Sequence, residues 1–186
     1  MGFHTFDADG ADRLEDAARR YRYCSAEELL GALSLSGEER VADLGSGTGF
    51  YTDDVAPFAG TVYGVDVQEA MHDYYRGKGV PSNVDLVTAA VADLPFDDGG
   101  LGAAFSTMTY HEFAGEAALS EVGRVLAPGS RLVVVDWSAN GRGTAGPPLD
   151  ERFDGAAART AIEAAGFEIE SAVERSETFV VIARAR

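Results

Sequence analysis

Short apolar runs alternate along the chain with longer segments of helical spacing. Residues 11–23 predict a helix with Leu14, Ala17, Ala18 and Tyr21 on one face. Ser25 followed by Glu28 is a capping-box pattern that opens a second short helix through Leu33. A strict strand–helix alternation follows. Residues 39–45 form a short buried-type strand, 48–58 a helix closed near Pro57, 61–67 a strand, 68–76 a helix and 84–91 a strand. Residues 103–110 continue as a strand, and 114–126 as a helix turning Ala118, Val122, Val125 and Leu126 inward. In 130–137 the apolar stretch from Leu132 to Val135 does not alternate, as expected of a strand covered on both faces. Residues 141–148 are a Gly/Pro-rich loop, followed by a helix over 151–165 and strands over 167–174 and 177–185. Only two residues separate these last strands, which demands an antiparallel hairpin. The whole pattern describes one α/β sheet, parallel except for one strand, without internal repeat or second-domain linker.

Composition narrows the partners. The 186 residues, 46% of them hydrophobic, suffice for one domain with a sizeable core. Thirty-one acidic residues against fifteen basic ones leave a formal charge of −16, so nucleic acid and anionic membranes are disfavoured by repulsion. Lys78 is the only lysine, and this skew reads as halophilic ahead of an ordinary acidic composition. Cys24 is the only cysteine, a structural thiol that permits neither an intrachain disulfide nor a multi-cysteine metal site. The opening MGFHTFDADG lacks the charged and apolar regions of a signal peptide, Phe6 spoils a myristoylation signal, and no apolar run approaches the about 20 residues of a membrane span. A cytoplasmic protein is expected.

The chemistry concentrates in VADLGSGTGF, residues 41–50. A strand runs into Gly45, Gly47 and Gly49, which let a ligand approach the backbone and let the chain turn into a helix N-terminus. The dinucleotide fingerprint needs glycine where Phe50 stands, and no G-K-[ST] follows for a phosphate loop. Asp66, ending the next strand about 20 residues on, can accept hydrogen bonds from two ribose hydroxyls. Asp93, in AVADLPF after the third strand, can accept one from an adenine amino group. Each carboxylate alone also fits a polar loop residue or a cap; in register, the three features point to a nucleoside-bearing cofactor.

The series VADLGSGTG, VYGVDVQEAM, ADLPF, FSTMTYHEF and LSEVGRVLAPGSRLVVVDW resembles the class I S-adenosylmethionine-dependent methyltransferases, in particular the small group similar to quinone-biosynthesis methyltransferases. That resemblance covers residues 39–137 and implies a Rossmann-like doubly wound α/β fold. Its seven-stranded sheet has the order 3-2-1-4-5-7-6 with strand 7 antiparallel, 1–36 forming an N-terminal helical lid and 37–186 the cofactor-binding core. It also implies S-adenosylmethionine as cofactor. Gly45, Ser46, Gly47 and Gly49 would meet its methionine part, Asp43 would orient that loop or bind the amino group, and Asp66 would take the ribose. Val67 and Met71 would flank the adenosine, Ala92, Asp93 and Leu94 would frame the adenine, and Thr107 would lie near the methionine end.

Where many relatives carry a His-His pair after strand 4, this chain has Tyr110, His111, Glu112 and Phe113, and after strand 5 it has Asp136, Trp137 and a short loop. Both segments follow the carboxyl ends of neighbouring strands, where open α/β sheets bind ligands. His111, Glu112, Asp136, Trp137 and a lid containing Phe3, His4 and Phe6 are therefore expected around a small-molecule acceptor, with His111, helped by Asp136, as the base. Packing or capping roles for His111, Glu112 and Trp137 stay open beside these. His72, on the helix after strand 2, reads as a remote surface residue. No ligand pair has diagnostic metal spacing, and no metal is expected. Two other readings remain: a catalytically silent S-adenosylmethionine-binding or regulatory protein, and a nicotinamide-dependent oxidoreductase.

Overall fold

The computed structural model describes residues 8–186, so Phe3, His4 and Phe6 of the expected lid lie outside the described residues. Seven strands form one sheet: β1 (Arg40–Leu44), β2 (Thr61–Asp66), β3 (Val84–Thr88), β4 (Leu101–Thr107), β5 (Leu126–Trp137), β6 (Glu168–Glu174) and β7 (Thr178–Arg184). Their spatial order is β3-β2-β1-β4-β5-β7-β6, as the resemblance implied. The pairs from β3 across to β5 are parallel, and β7 runs antiparallel to both β5 and β6.

Strand pleating divides β5 cleanly. Val133 and Val135 face one way, with Val41, Val62 and Phe105, and are covered by α2 (Ala26–Leu33), α3 (Phe50–Val55) and α4 (Glu69–Lys78) through Leu29, Leu33, Tyr51, Val55 and Tyr75. Leu132 and Val134 face the other way, with Ala42, Leu44 and Ala104. There α6 (Glu116–Val125) and α7 (Gly155–Ala164) cover them through Ala118, Leu119, Val122, Ala158 and Ile162. Both faces are dry, which is why the central strands carry apolar runs rather than alternation.

Helix starts follow local chemistry. Ser25 accepts from the Glu28 amide at the head of α2, and Asp154 accepts from the Ala157 amide at the head of α7. Asp16 does the same for the Arg19 amide, and thereby breaks the helix expected over 11–23 into a 3-10 segment, Ala8–Glu15, and a short α1, Ala17–Tyr21. Other boundaries also differ from expectation; the strand expected over 84–91, for one, ends at Thr88. The strand expected over 103–110 ends at Thr107, and Tyr110–Phe113 forms a helical turn, α5. β5 begins at Leu126 rather than 130, and the helix expected from 151 begins at Gly155. His72 is also not a surface residue: it is fully buried beneath α4, its Nδ1 3.0 Å from the Thr88 hydroxyl.

β1 and β4 are hydrogen-bonded neighbours although β2 and β3 lie between them in sequence, so the strand order reverses there. A crevice opens at the carboxyl ends of strands at such a point.

Candidate functional site

A cavity of about 820 Å³ occupies that crevice. Its floor is the loop after β1. Gly45, Gly47 and Gly49 have φ of +81°, +53° and +79°, which L side chains rarely adopt. A Cβ on Gly45 would stand 2.2 Å from Thr109 Cγ2, so this glycine also admits the chain leaving β4. The loop is tied down by its own amides. Gly45 and Ser46 donate to the Val65 carbonyl at 2.8 and 2.9 Å, Gly49 donates to the Ser46 carbonyl at 2.9 Å, and Gly47 donates to Asp66 Oδ2 at 2.8 Å. The other Asp66 oxygen accepts from the Gln68 amide at 2.9 Å. Asp66 therefore joins the ends of β1 and β2 while bordering the cavity.

Gly45, Ser46, Gly47, Asp66, Val67, Met71, Ala92, Thr107 and His111 all line this one space. Asp43 lies beneath the loop, fully buried, and accepts from the Thr52 hydroxyl at 2.7 Å while its Oδ1 has no partner among the described residues. Burial lifts its carboxyl to about 7, against the opposing pull of the Thr52 hydrogen bond and of Arg20. Gly49 sits at the head of α3 against the Tyr75 ring rather than on the cavity wall. Leu94 belongs to the core, its amide donating to Glu121 Oε1 at 2.9 Å, and Asp93 is exposed; neither borders the cavity, whose wall there is Ala89, Ala90, Val91 and Ala92.

The opposite wall carries His111 and Asp136. Asp136 is completely buried at the end of β5 and accepts three hydrogen bonds: from the His111 amide at 2.6 Å, from the Trp137 amide at 2.8 Å, and from His111 Nδ1, 3.0 Å from both carboxylate oxygens. This fixes the ring with Nδ1 inward. Nε2 lies 4.0 Å from Glu112 Oε1, and both His111 and Glu112 line the cavity. Burial alone would lower the imidazole pKa, but the hydrogen bond and charge of Asp136, with Glu112 and Glu151 adding to them, hold it above its ordinary value. Met108, just before α5, has φ +61° and also lines the cavity; a bulky side chain in the left-handed region marks a constrained exit from β4.

Trp137 closes the far end. Tyr23 packs edge-on to it with centroids 4.6 Å apart, and Gly146 lies so close that a Cβ would come within 2.5 Å of the indole. Arg152 holds the 141–148 loop over it by donating to the carbonyls of Pro147, Ala145 and Ser138. Arg20, Tyr23, Met108, Thr109 and Arg152 were not singled out from the sequence. Met108 and Thr109 lie within FSTMTYHEF but were given no role of their own, and Arg20, Tyr23 and Arg152 belong to no motif. Among the described residues no group of three or more His, Cys, Asp or Glu side chains could hold a metal ion, and no helix is long and apolar enough to cross a membrane.

Comparison with known proteins agrees with this geometry. A family model described as a methyltransferase domain matches residues 42–134. A methyltransferase-like protein from Schizosaccharomyces pombe is 30% identical over 135 residues, covering 72% of this chain and 51% of its own. A demethylmenaquinone methyltransferase from Corynebacterium kroppenstedtii is 36% identical over 101 residues, covering 54% of this chain and 42% of its own. The chain thus spans about half the length of these curated relatives. An S-adenosylmethionine-dependent methyltransferase structure from Aquifex aeolicus superposes with a TM-score of 0.86 at 29% identity, covering 98% of this chain and 100% of the other.

Proposed function

The chain belongs to the class I S-adenosylmethionine-dependent methyltransferases, and from that premise we propose that it transfers the cofactor's methyl group to a small-molecule acceptor bound in the same cavity. The observation that carries this reading is the His111–Asp136 pair, which opens onto the space that begins at the glycine loop.

The residues present fit the cofactor. Ser46, on the cavity wall, has a buried hydroxyl without a partner among the described residues. Each Asp66 oxygen accepts one backbone hydrogen bond and retains capacity for another, suiting a pair of ribose hydroxyls. Val67, Met71 and Ala92 offer apolar surface for the adenosine, and Thr107 borders the methionine end. Asp43 and Gly49 hold the loop from behind, while Leu94 and Asp93 set the course of the chain next to the adenine wall. When bound, S-adenosylmethionine supplies an electrophilic methyl carbon on a sulfonium.

The chain's own contribution is positional and acid–base. His111 Nε2, on the cavity wall, is placed to take the proton that an acceptor group would give up on being methylated. Asp136 holds the Nδ1 proton and balances the charge the ring acquires. Tyr23, Trp137 and Phe113 exclude water and hold the acceptor in line, which supplies much of the acceleration in a bimolecular transfer.

Titration calorimetry tests the cofactor half: S-adenosylmethionine and S-adenosylhomocysteine should bind and NAD should not. Heat from NAD alone would overturn the assignment. Transfer of labelled methyl from the cofactor into small-molecule fractions, by wild type but not by His111→Ala, tests the other half.

A further inference from the structure

The glycine loop has little left with which to grip an anion. The amides of Gly45, Ser46, Gly47 and Gly49 are all committed to protein acceptors. Yet the ligand proposed for this loop ends in an amino acid, whose carboxylate must be met by something. Asp43 beneath the loop, Asp66 bonded to Gly47 and Glu15 bonded to Thr48 all carry the wrong sign.

Arg13, Arg19 and Arg20 all line the cavity; the first two are exposed, whereas Arg20 is half-buried and fixed in place. Arg20 occupies the last turn of α1, where Asp16 caps the helix and the Tyr51 hydroxyl donates to the Arg20 carbonyl at 3.1 Å. Tyr21, next in the chain, donates to Asp54 of α3 at 2.9 Å, so the end of α1 is anchored to the helix that follows the loop. The Arg20 guanidinium lies over the rings of Phe50 and Tyr51, 5.4 and 4.7 Å from their centroids, and the residue lines the cavity beside Ser46 and Thr48. Its Nε is buried and has no hydrogen-bond partner among the described residues. Stacking on two aromatic faces fixes the plane of a guanidinium but satisfies none of its N–H groups. Burial pulls its pKa below the ordinary value, while Asp43 and Glu15 act on it only at a distance. A half-buried cation whose Nε is shut off from solvent without a partner is a costly arrangement for packing alone.

We propose that Arg20 is the carboxylate seat of this site, its guanidinium donating to the α-carboxylate of the cofactor's methionine moiety. This rests on the cofactor reading above and assigns to α1 a binding role beyond covering the cavity. A planar fork pre-oriented by stacking is suited to paired donation to a carboxylate.

The test compares two ligands that share the adenosine thioether but differ in the amino-acid end: S-adenosylhomocysteine, which carries the carboxylate, and methylthioadenosine, which lacks it. Calorimetry on wild type, Arg20→Met and Arg20→Lys, with melting curves in parallel, needs no acceptor. Arg20→Met should weaken S-adenosylhomocysteine about ten- to a hundredfold and methylthioadenosine less than about twofold. Arg20→Lys, which keeps a stem and a charge, should fall between and serves for the comparison should the methionine variant unfold. Equal losses for both ligands, or no loss for either, would overturn the carboxylate seat. Failure of the wild type to bind either ligand would overturn the cofactor reading, and the seat with it.

Discussion

Asp136 sets both the orientation and the basicity of His111, and the two effects separate by pH. With the ring pKa held above its ordinary value, turnover should rise with pH along a limb centred above about 6.5. Asp136→Asn removes the charge, so this limb should move to lower pH while the rate on the plateau falls; a pH–rate profile of both proteins checks it. His111→Ala should cut turnover about a hundredfold to ten-thousandfold with cofactor affinity little changed. Equal turnover at equal occupancy would return His111 to a structural role. Asp66→Ala should weaken the cofactor and also cost about 1–3 kcal/mol of stability, because Gly47 and Gln68 lose their acceptor. Calorimetry and melting report these separately. Asp43 gives a third handle. Its carboxyl titrates near 7 when folded and near 4 when unfolded, so between those values only the folded chain holds the proton, and the contribution of Asp43 to stability falls as pH rises from about 4 to 7. His111 adds a loss of the same sign above about 6.5. Asp43→Asn should flatten the slope below that and stabilise the cofactor-free protein at pH 8 by on the order of a few kcal/mol, read from melting temperatures. Asp66 was legible in the sequence because it ends a strand, and His111 because it lies within a few residues of one. Arg20 was not, since the rings it lies over belong to α3, nor was Arg152, whose partners are carbonyls of a loop that carries no side-chain signal, and His72 misled because a buried imidazole looks polar in a helical pattern.

At the scale of elements, the loop between β1 and α3 is the least tolerant part of the site. Gly45→Ala combines a forbidden φ with a Cβ 2.2 Å from Thr109, so it should destabilise by several kcal/mol and abolish cofactor binding; a folded variant with intact affinity would contradict the geometry. Strands and crossover helices were readable because both sheet faces are apolar and the runs announce themselves. The exit from β4 was not. Thr107 to Tyr110 is rich in residues that suit a strand, and the chain leaves the sheet there only because Met108 takes a left-handed conformation, after which Tyr110 packs against Phe113, Phe153 and Phe179. The helix expected over 11–23 failed for a local reason, since an internal aspartate that caps a helix also ends the one before it. The lid reading suits the residues that border the cavity, such as Leu14, Arg20 and Tyr23, whereas α2 packs into the core through Leu29 and Leu33.

Over the whole molecule, the formal charge of −16 acts against compactness. Raising salt shortens the Debye length from about 30 Å in dilute buffer to about 3 Å at 1 M, so the melting temperature should climb between dilute buffer and molar KCl. Insensitivity to salt would remove the halophilic expectation. The order of strands has a different consequence, one of timing. β6 is synthesised before β7, yet β7 lies between β6 and β5, with Trp137 paired to Thr178 and Arg131 to Arg184. Until β7 docks, β5 presents an open apolar edge and β6 has no strand to pair with. Closing the sheet therefore waits on contacts between residues some forty to fifty positions apart, which places this step late and makes it slow relative to local helix formation. Glu168, Glu170 and Glu174 keep the waiting β6 segment hydrated and poorly suited to pairing with another chain. A nascent chain stalled before residue 178 should accordingly need a chaperone at the bare edge of β5, and one extended past 184 should not.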